Sequence, residues 1–232
     1  MTKQSRLMSV AFAGALVALT TSAMAGGDRR GSLKDDYRPF SWTGVYVGGQ
    51  IGYLNGDADH AFSNGAPSDT SNPAGWLVGA HVGFNVQNGN IVFGAEADIE
   101  RTDADGGFVN LTGGTSQGGV AFNWQGSIRG RLGVTSGAAL FYLTAGWAFA
   151  DIDFDGGPAG GPVCCGFSKS VNGWTVGGGG EWVIGKNMTA RIEYRYTDFG
   201  DHTGALNPAF PGVNMNVDLV THAVRAGVSF KF

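Results

Sequence analysis

The chain has 232 residues, 43% hydrophobic and only 15% charged, with a formal net charge of −4. That charge excludes the basic surface of a nucleic-acid binder. With 41 glycines, 7 prolines and 12% aromatic residues, the composition is not that of a disordered linker, and the length suits one β-type domain.

In chain order, Lys3 and Arg6 precede an apolar run from Leu7 to Leu19, followed by the small-x-small sequence Ala23-Met24-Ala25. This pattern predicts a cleaved secretory signal peptide over residues 1–25. The apolar run is shorter than the roughly 20 residues a spanning helix needs. Its removal leaves 13 basic against 19 acidic residues, a charge of −6. Residues 26–41 are polar and read as a flexible leader.

From Trp42 onward apolar residues alternate with small or polar ones, the period of strands with two unlike faces. Eight segments carry the pattern. The first, about 43–54, sets Val45, Val47, Ile51 and Tyr53 against Tyr46, Gly48, Gln50 and Gly52. The second, about 76–87, sets Trp76, Val78, Val82 and Phe84 against His81 and Asn85. In the third, about 90–101, Ile91, Phe93 and Ile99 oppose Glu96, Asp98 and Glu100. In the fourth, about 119–134, Phe122, Trp124, Ile128, Leu132 and Val134 oppose Asn123, Gln125, Ser127, Arg129 and Arg131.

The fifth, about 139–151, places Phe141, Leu143, Trp147 and Phe149 opposite Tyr142 and Thr144. The sixth, about 171–184, sets Trp174, Val176, Trp182 and Ile184 against Thr175 and Glu181 across a run of glycines. The seventh, about 188–199, sets Met188, Ile192, Tyr194 and Tyr196 against Arg191, Glu193, Arg195 and Thr197. The last alternates Val224, Val228, Phe230 and Phe232 with Arg225, Ser229 and Lys231.

Asn88-Gly89-Asn90, Thr135-Ser136-Gly137 and Gly185-Lys186-Asn187 are tight-turn sequences, in which Gly or Asn takes positive φ. The intervening stretches, about 55–75, 102–118, 152–170 and 200–216, read as long polar loops. Short turns at one end and long loops at the other predict an eight-stranded antiparallel up-and-down transmembrane β-barrel over residues 42–232. Both termini and the turns are expected on the periplasmic side, and the loops outside. Aromatics gather toward the loop end (Tyr53, Trp76, Trp124, Trp147, Trp174, Tyr196) and toward the turn end (Phe84, Phe93, Phe141, Trp182, Phe232), as two girdles. Closure of the sheet satisfies every backbone group, which lipid requires.

The segment from Phe40 to Tyr53, FSWTGVYVGGQIGY, resembles the opening strand of the alphaproteobacterial outer-membrane β-barrel family, often labelled porin-family or opacity-type surface antigens. Residues Thr221 to Phe232, THAVRAGVSFKF, are similar to that family's closing strand. The resemblance spans about 40–232. It implies that Phe232, with Phe230 and Val228, belongs to the signal read by the barrel-assembly machinery. It implies a structural or surface role and no single activity.

The inward charges are Glu96, Asp98, Glu100, Arg129, Arg131, Glu181, Arg191, Glu193, Arg195 and Arg225, with Lys231 near the end. Acidic and basic strands are adjacent, so cross-strand pairs are expected. Such a set makes either a gated ion path or a plug of paired side chains. Eight strands leave an interior only wide enough for side chains, which favours the plug.

A catalytic set is not expected. His60 and His202 fall in the loops and read as solvated, His81 as a hydrogen-bonded interior residue, and His222 as a rim residue near lipopolysaccharide headgroups. A lipid A deacylase would place a Ser two residues beyond His222, where Val224 stands. Cys164-Cys165 read as a strained local bridge, an unpaired dithiol, an intermolecular bridge or a soft-metal pair, too few for a zinc set.

Asp151-x-Asp153-x-Asp155-Gly156 echoes the start of a calcium loop, but Pro162 stands where the twelfth-position Glu belongs. No metal site and no cofactor is therefore expected, and these acids read as binding divalent ions that bridge lipopolysaccharide phosphates, or as solvating the loops. The expected partners are outer-membrane lipid and lipopolysaccharide, the assembly machinery, and host or phage surface ligands. The rival functions are a small-solute pore and loop-mediated ligand capture, such as haem, by Phe62, Phe108, Phe167 and Phe210.

Overall fold

A computed structural model describes residues 40–63, 69–109, 116–158, 165–205 and 214–232. The predicted signal peptide, all but the last two residues of the leader, and Cys164 lie outside the described residues. So do Phe210 and the side chains of Phe62, Phe108, Cys165 and Phe167.

Ten strands are present: β1 (Gly44–Phe62), β2 (Asp69–Ser71), β3 (Ala74–Asn88), β4 (Ile91–Thr102), β5 (Asp105–Val109), β6 (Ser116–Ser136), β7 (Ala139–Pro158), β8 (Cys165–Val183), β9 (Met188–Ala205) and β10 (Asn214–Lys231). Eight of them form the predicted ring in up-and-down order. β1 pairs with β3 on one side and with β10 on the other, so the sheet closes on itself. β2 and β5 are short additions at the long-loop end, on β1 and β6. All pairings are antiparallel. Gly89 and Gly137, with φ of 60° and 59°, make the tight turns after β3 and β6, where a side chain would be strained.

The strands run much further than the alternation of apolar residues suggested. β1 has 19 residues, β6 has 21 and β7 has 20, against the roughly 9–11 of a tilted membrane crossing. Much of each stretch read as polar loop is therefore strand. The reason lies in side-chain chemistry. Along β1, Val45, Val47, Ile51 and Tyr53 face out and Tyr46 and Gln50 face in; beyond Tyr53, Asn55, Asp57 and Asp59 face out while Leu54, Ala58 and His60 face in. β7 does the same: Phe141, Leu143 and Trp147 point outward, then Asp151 and Asp153, with Ala148, Ala150 and Ile152 turned inward. Along these two strands the period of two never breaks, but its polarity inverts. A wall in hydrocarbon exposes apolar side chains, and a wall in water buries them. The inversion sits at the aromatic row Tyr53, Trp76, Trp124, Trp147, Trp174 and Tyr196.

Two bulges reset the phase near that row. The β6–β7 register shifts between Phe122 and Trp124. The extra residue turns Phe122 inward, where it is 1% exposed, and leaves Asn123 partly exposed outside. This reverses the sequence assignment of those two residues, because strict alternation cannot anticipate an inserted residue. On β9, Phe199 is the extra residue opposite the Leu219/Val220 step, with Gly200 at φ 71°, and its ring is also buried.

Candidate functional site: the barrel interior

Three layers fill the interior. At the short-turn end, Trp42, Val92, Leu140 and Tyr142 form a small apolar cluster, with Phe40 and Val183 against it. At the long-loop end, a larger cluster includes Leu54, Leu77, Val120, Phe122, Ile152, Val171, Phe199 and Leu219. Phe122 and Phe199 lie with ring centroids 6.3 Å apart. Between the clusters lie all ten charged residues singled out from the sequence, five carboxylates and five guanidinium groups, each no more than 6% exposed.

Arg129 is the hub. Its guanidinium donates to Glu96 at 2.6 Å, Glu193 at 2.9 Å and Asp98 at 3.1 Å, and to the hydroxyls of Thr144 and Ser127. Arg191 reaches Glu96 at 2.5 Å and Gln50 at 2.5 Å. Arg195 holds Asp98 at 3.0 Å and Glu193 at 2.8 Å. Arg225 grips Glu100 with two hydrogen bonds of 2.7 and 2.8 Å, and Arg131 pairs with Glu181.

Among the described residues only Glu96 and Arg129 are both ion-paired and direct register partners on neighbouring strands. Most of the other bridges cross the lumen. Arg225, for instance, faces Glu193 in register but binds Glu100 on β4 instead. A narrow barrel puts opposite walls within one side chain's length, so cross-lumen partners compete with adjacent ones. Lys231 stands apart at the short-turn mouth, donating to the Thr43 carbonyl at 2.7 Å and lying 5.4 Å from the Phe40 ring centroid.

Neutral groups complete the network. The Tyr46 hydroxyl donates to Glu96 at 2.8 Å and the Tyr142 hydroxyl to Glu193 at 3.1 Å. The Arg131 guanidinium stacks 3.8 Å from the Tyr142 ring centroid, a favourable cation–π contact. These large side chains lean over the neighbouring strand, where their register partners are glycines. A Cβ on Gly83 would stand 2.3 Å from the Tyr46 ring, and one on Gly48 would stand 2.4 Å from His81. This close approach explains glycines within strands, where they are otherwise unfavourable.

His81 meets the Ser229 hydroxyl at 2.8 Å inside the lumen. His60 is fully buried and meets Ser71 at 3.0 Å, a correction to its reading as a solvated loop residue: its segment is strand, and the water-side phase turns it inward. His202 is half-buried. His222 lies outside, with Nδ1 2.7 Å from the Tyr194 hydroxyl and its ring 5.2 Å from that of Tyr196. Among the described residues no cluster of three or more His, Cys, Asp or Glu is placed to hold a metal. Asp151 and Asp153 accept from Ser170 and Ser168 at 2.5 Å each.

The outer surface between the two ends is a continuous apolar band, with Leu143 69%, Ile128 63% and Val78 61% exposed. Ring contacts tie neighbouring strands at its loop-side edge: Tyr53 to Trp76 at 5.5 Å, Trp124 to Phe149 at 5.8 Å and Trp174 to Tyr196 at 5.3 Å. At the other edge Phe141 meets Trp182 at 6.5 Å and Phe230 meets Phe232 at 5.2 Å. Phe232 donates its backbone N–H to Val45 at 2.9 Å, and Val228 faces outward beside these rings. The family model described as the outer membrane protein beta-barrel domain matches residues 11–232. The chain belongs to that outer-membrane β-barrel family.

Its relatives agree with the assignment. The 31 kDa outer-membrane immunogenic protein of Brucella melitensis is 30% identical over 97% of this chain and 100% of its own length. The 22 kDa outer membrane protein of Rhizobium leguminosarum is 35% identical over 68% of this chain and 65% of its own. Among solved structures, the outer membrane protein OprG from Pseudomonas aeruginosa aligns with a TM-score of 0.48 at 14% identity, covering 82% of this chain and 96% of that one. As an outer-membrane barrel, the protein should tolerate charge on its wall only outside the apolar band. Leu143→Arg, near the middle of the band, should lower unfolding stability in lipid vesicles by about 2–4 kcal/mol. Asp153→Arg, on the same strand and face but beyond the girdle, should change it far less.

Proposed function

We propose that the protein is a closed structural barrel that displays a rigid, water-exposed rim at the cell surface, and that it neither conducts solutes nor catalyses a reaction. The observation that carries this reading is the filled interior. A charge-balanced, mutually hydrogen-bonded layer lies between two apolar clusters, so an ion on the axis would have to displace paired groups and then cross a dry plug. Polar groups stripped of partners in such a place are costly.

The imidazole–hydroxyl pairs His81–Ser229 and His60–Ser71 have the partners of a base and a nucleophile, but all four residues are at most 3% exposed. No substrate reaches them in the closed barrel. His222, partly exposed on the outer wall, is engaged by Tyr194.

The rim is the part that meets partners. Short turns at the opposite end favour a periplasmic location for that end and an outward location for the extended strands. In this orientation the upper halves of β1, β7, β8, β9 and β10 stand above the outer leaflet. The names of the Brucella relatives, immunogenic outer-membrane proteins, support surface exposure of the rim. Outer-membrane lipid and lipopolysaccharide surround the band, and host or phage ligands meet the rim. The assembly machinery is engaged through the apolar outward face of β10, from Val224 to Phe232.

A proteoliposome swelling assay tests the reading. Vesicles carrying the refolded barrel should swell in small sugars no faster than empty vesicles, and swelling that scales with protein content would overturn it.

A further inference from the structure

The outer wall at the loop-side edge of the band has one side unlike the rest. There, register partners run across four strands at a single height: Arg101 on β4 faces Trp124 on β6, Trp124 faces Asp151 on β7, and Asp151 faces Ser170 on β8. Arg101 is exposed and has no ion-pair partner among the described residues. The β6 bulge falls one residue above Trp124. It turns Asn123 out of the lumen, where its amide donates to Asp153 at 2.5 Å, while Ser168 donates to the other oxygen of the same carboxylate. An open groove crosses β6, β7 and β8 at this point, lined by Asn123, Trp124, the Asp151–Ser170 and Asp153–Ser168 pairs and Lys169. Directly below lie Phe149, Trp147 and Ile128, all on the apolar wall.

We infer that this row binds the phosphorylated sugar headgroup of a membrane glycolipid. The inference rests on the outward placement of the rim proposed above. Each part of such a headgroup has a counterpart. An indole face takes the apolar face of a pyranose ring. The carboxylates of Asp151 and Asp153 accept from sugar hydroxyls, and Asp153 is held charged because hydrogen bonds from Ser168 and Asn123 keep its carboxyl below the usual range. Arg101, at the other side of Trp124, presents a planar fork that matches phosphate. Arg101 and the carboxylates stand on opposite sides of the indole, with Lys169 lining the groove beyond the carboxylates on β8, so a phosphate goes toward β4 and the hydroxyls toward β7. Acyl chains then follow the apolar wall downward, which is why a membrane lipid fits better than a free saccharide. A bulge beside the site is the usual means of re-aiming a side chain without ending a strand.

Native mass spectrometry of the full barrel, released from phosphatidylcholine nanodiscs that carry bisphosphorylated lipid A, tests the inference. Wild-type protein should retain lipid A. Arg101→Gln and Trp124→Ala should each lower its retention roughly tenfold, the worth of a charge-assisted phosphate contact or a stacked ring. Trp124→Phe should keep most of it. Both side chains point outward, and heat-modifiable gel migration verifies that each variant is folded. Equal retention by wild type and both variants would overturn the site. Loss with Arg101→Gln but not with Trp124→Ala would reduce it to general charge attraction and also overturn it. Equally tight capture of a water-soluble bisphosphorylated glucosamine disaccharide would show a free-saccharide site and contradict the lipid. None of these results bears on whether the lumen is closed, which swelling and conductance measure separately.

Discussion

Arg129→Met should lower the unfolding free energy of the refolded barrel by about 3–5 kcal/mol, the usual cost of removing one partner from a buried ion network. The methionine fills comparable volume, so the loss reports charge and hydrogen bonding rather than a cavity. Glu96, Asp98 and Glu193 each keep one other arginine, Arg191 or Arg195, but the lumen then holds five carboxylates against four guanidinium groups. Water cannot easily compensate, because an apolar cluster caps each side of the layer. Denaturant unfolding in lipid vesicles, followed by gel migration and tryptophan emission, measures the change. Adding Glu193→Gln should restore the balance, so the double variant should be more stable than the sum of the two single losses implies. Full additivity would mean that the residues do not act as one network.

Phe122→Ala should cost a similar amount, about 3–5 kcal/mol, typical of emptying a large aromatic site. Phe122 is 1% exposed and its ring faces Phe199 across the loop-side plug. The effect on permeability should nevertheless be small, since the charged layer beneath is untouched and still spans the lumen. Unfolding and conductance on the same variant thus separate two roles. A variant of unchanged stability would show that Phe122 does not pack in the lumen. A variant that conducts steadily would show that the apolar plug alone closes the barrel.

The sequence carried the architecture because alternation in a barrel wall is strict. Inward Glu96, Arg129 and Arg225 and outward Ile128, Leu143 and Val224 were all legible from period two. Four features were not. The wall beyond the girdle keeps the same period with inverted polarity, so Asp57, Asp59 and Asp153 fall in stretches that read as polar loop, although Leu54, Ile152 and Val171 alternate with polar residues there. The apolar plug they build inside was therefore missed. The signal was present: apolar and acidic residues alternate through Ala150–Asp155 as regularly as apolar and small or polar ones do below. The bulges at Asn123 and Phe199 were hidden, because one inserted residue shifts every side chain after it to the other face. His60 was misread for the first reason and Phe122 for the second. Cross-lumen partner choice, such as Arg225 with Glu100 rather than Glu193, depends on barrel width and not on neighbouring strands.

The central claim is that the interior is closed, and planar-bilayer recording of the refolded full barrel tests it most directly. The filled lumen predicts a baseline indistinguishable from protein-free lipid, with no steady step conductance across the voltage range the bilayer withstands. Reproducible, long-lived, porin-like steps from protein verified as folded by heat-modifiable migration would contradict it.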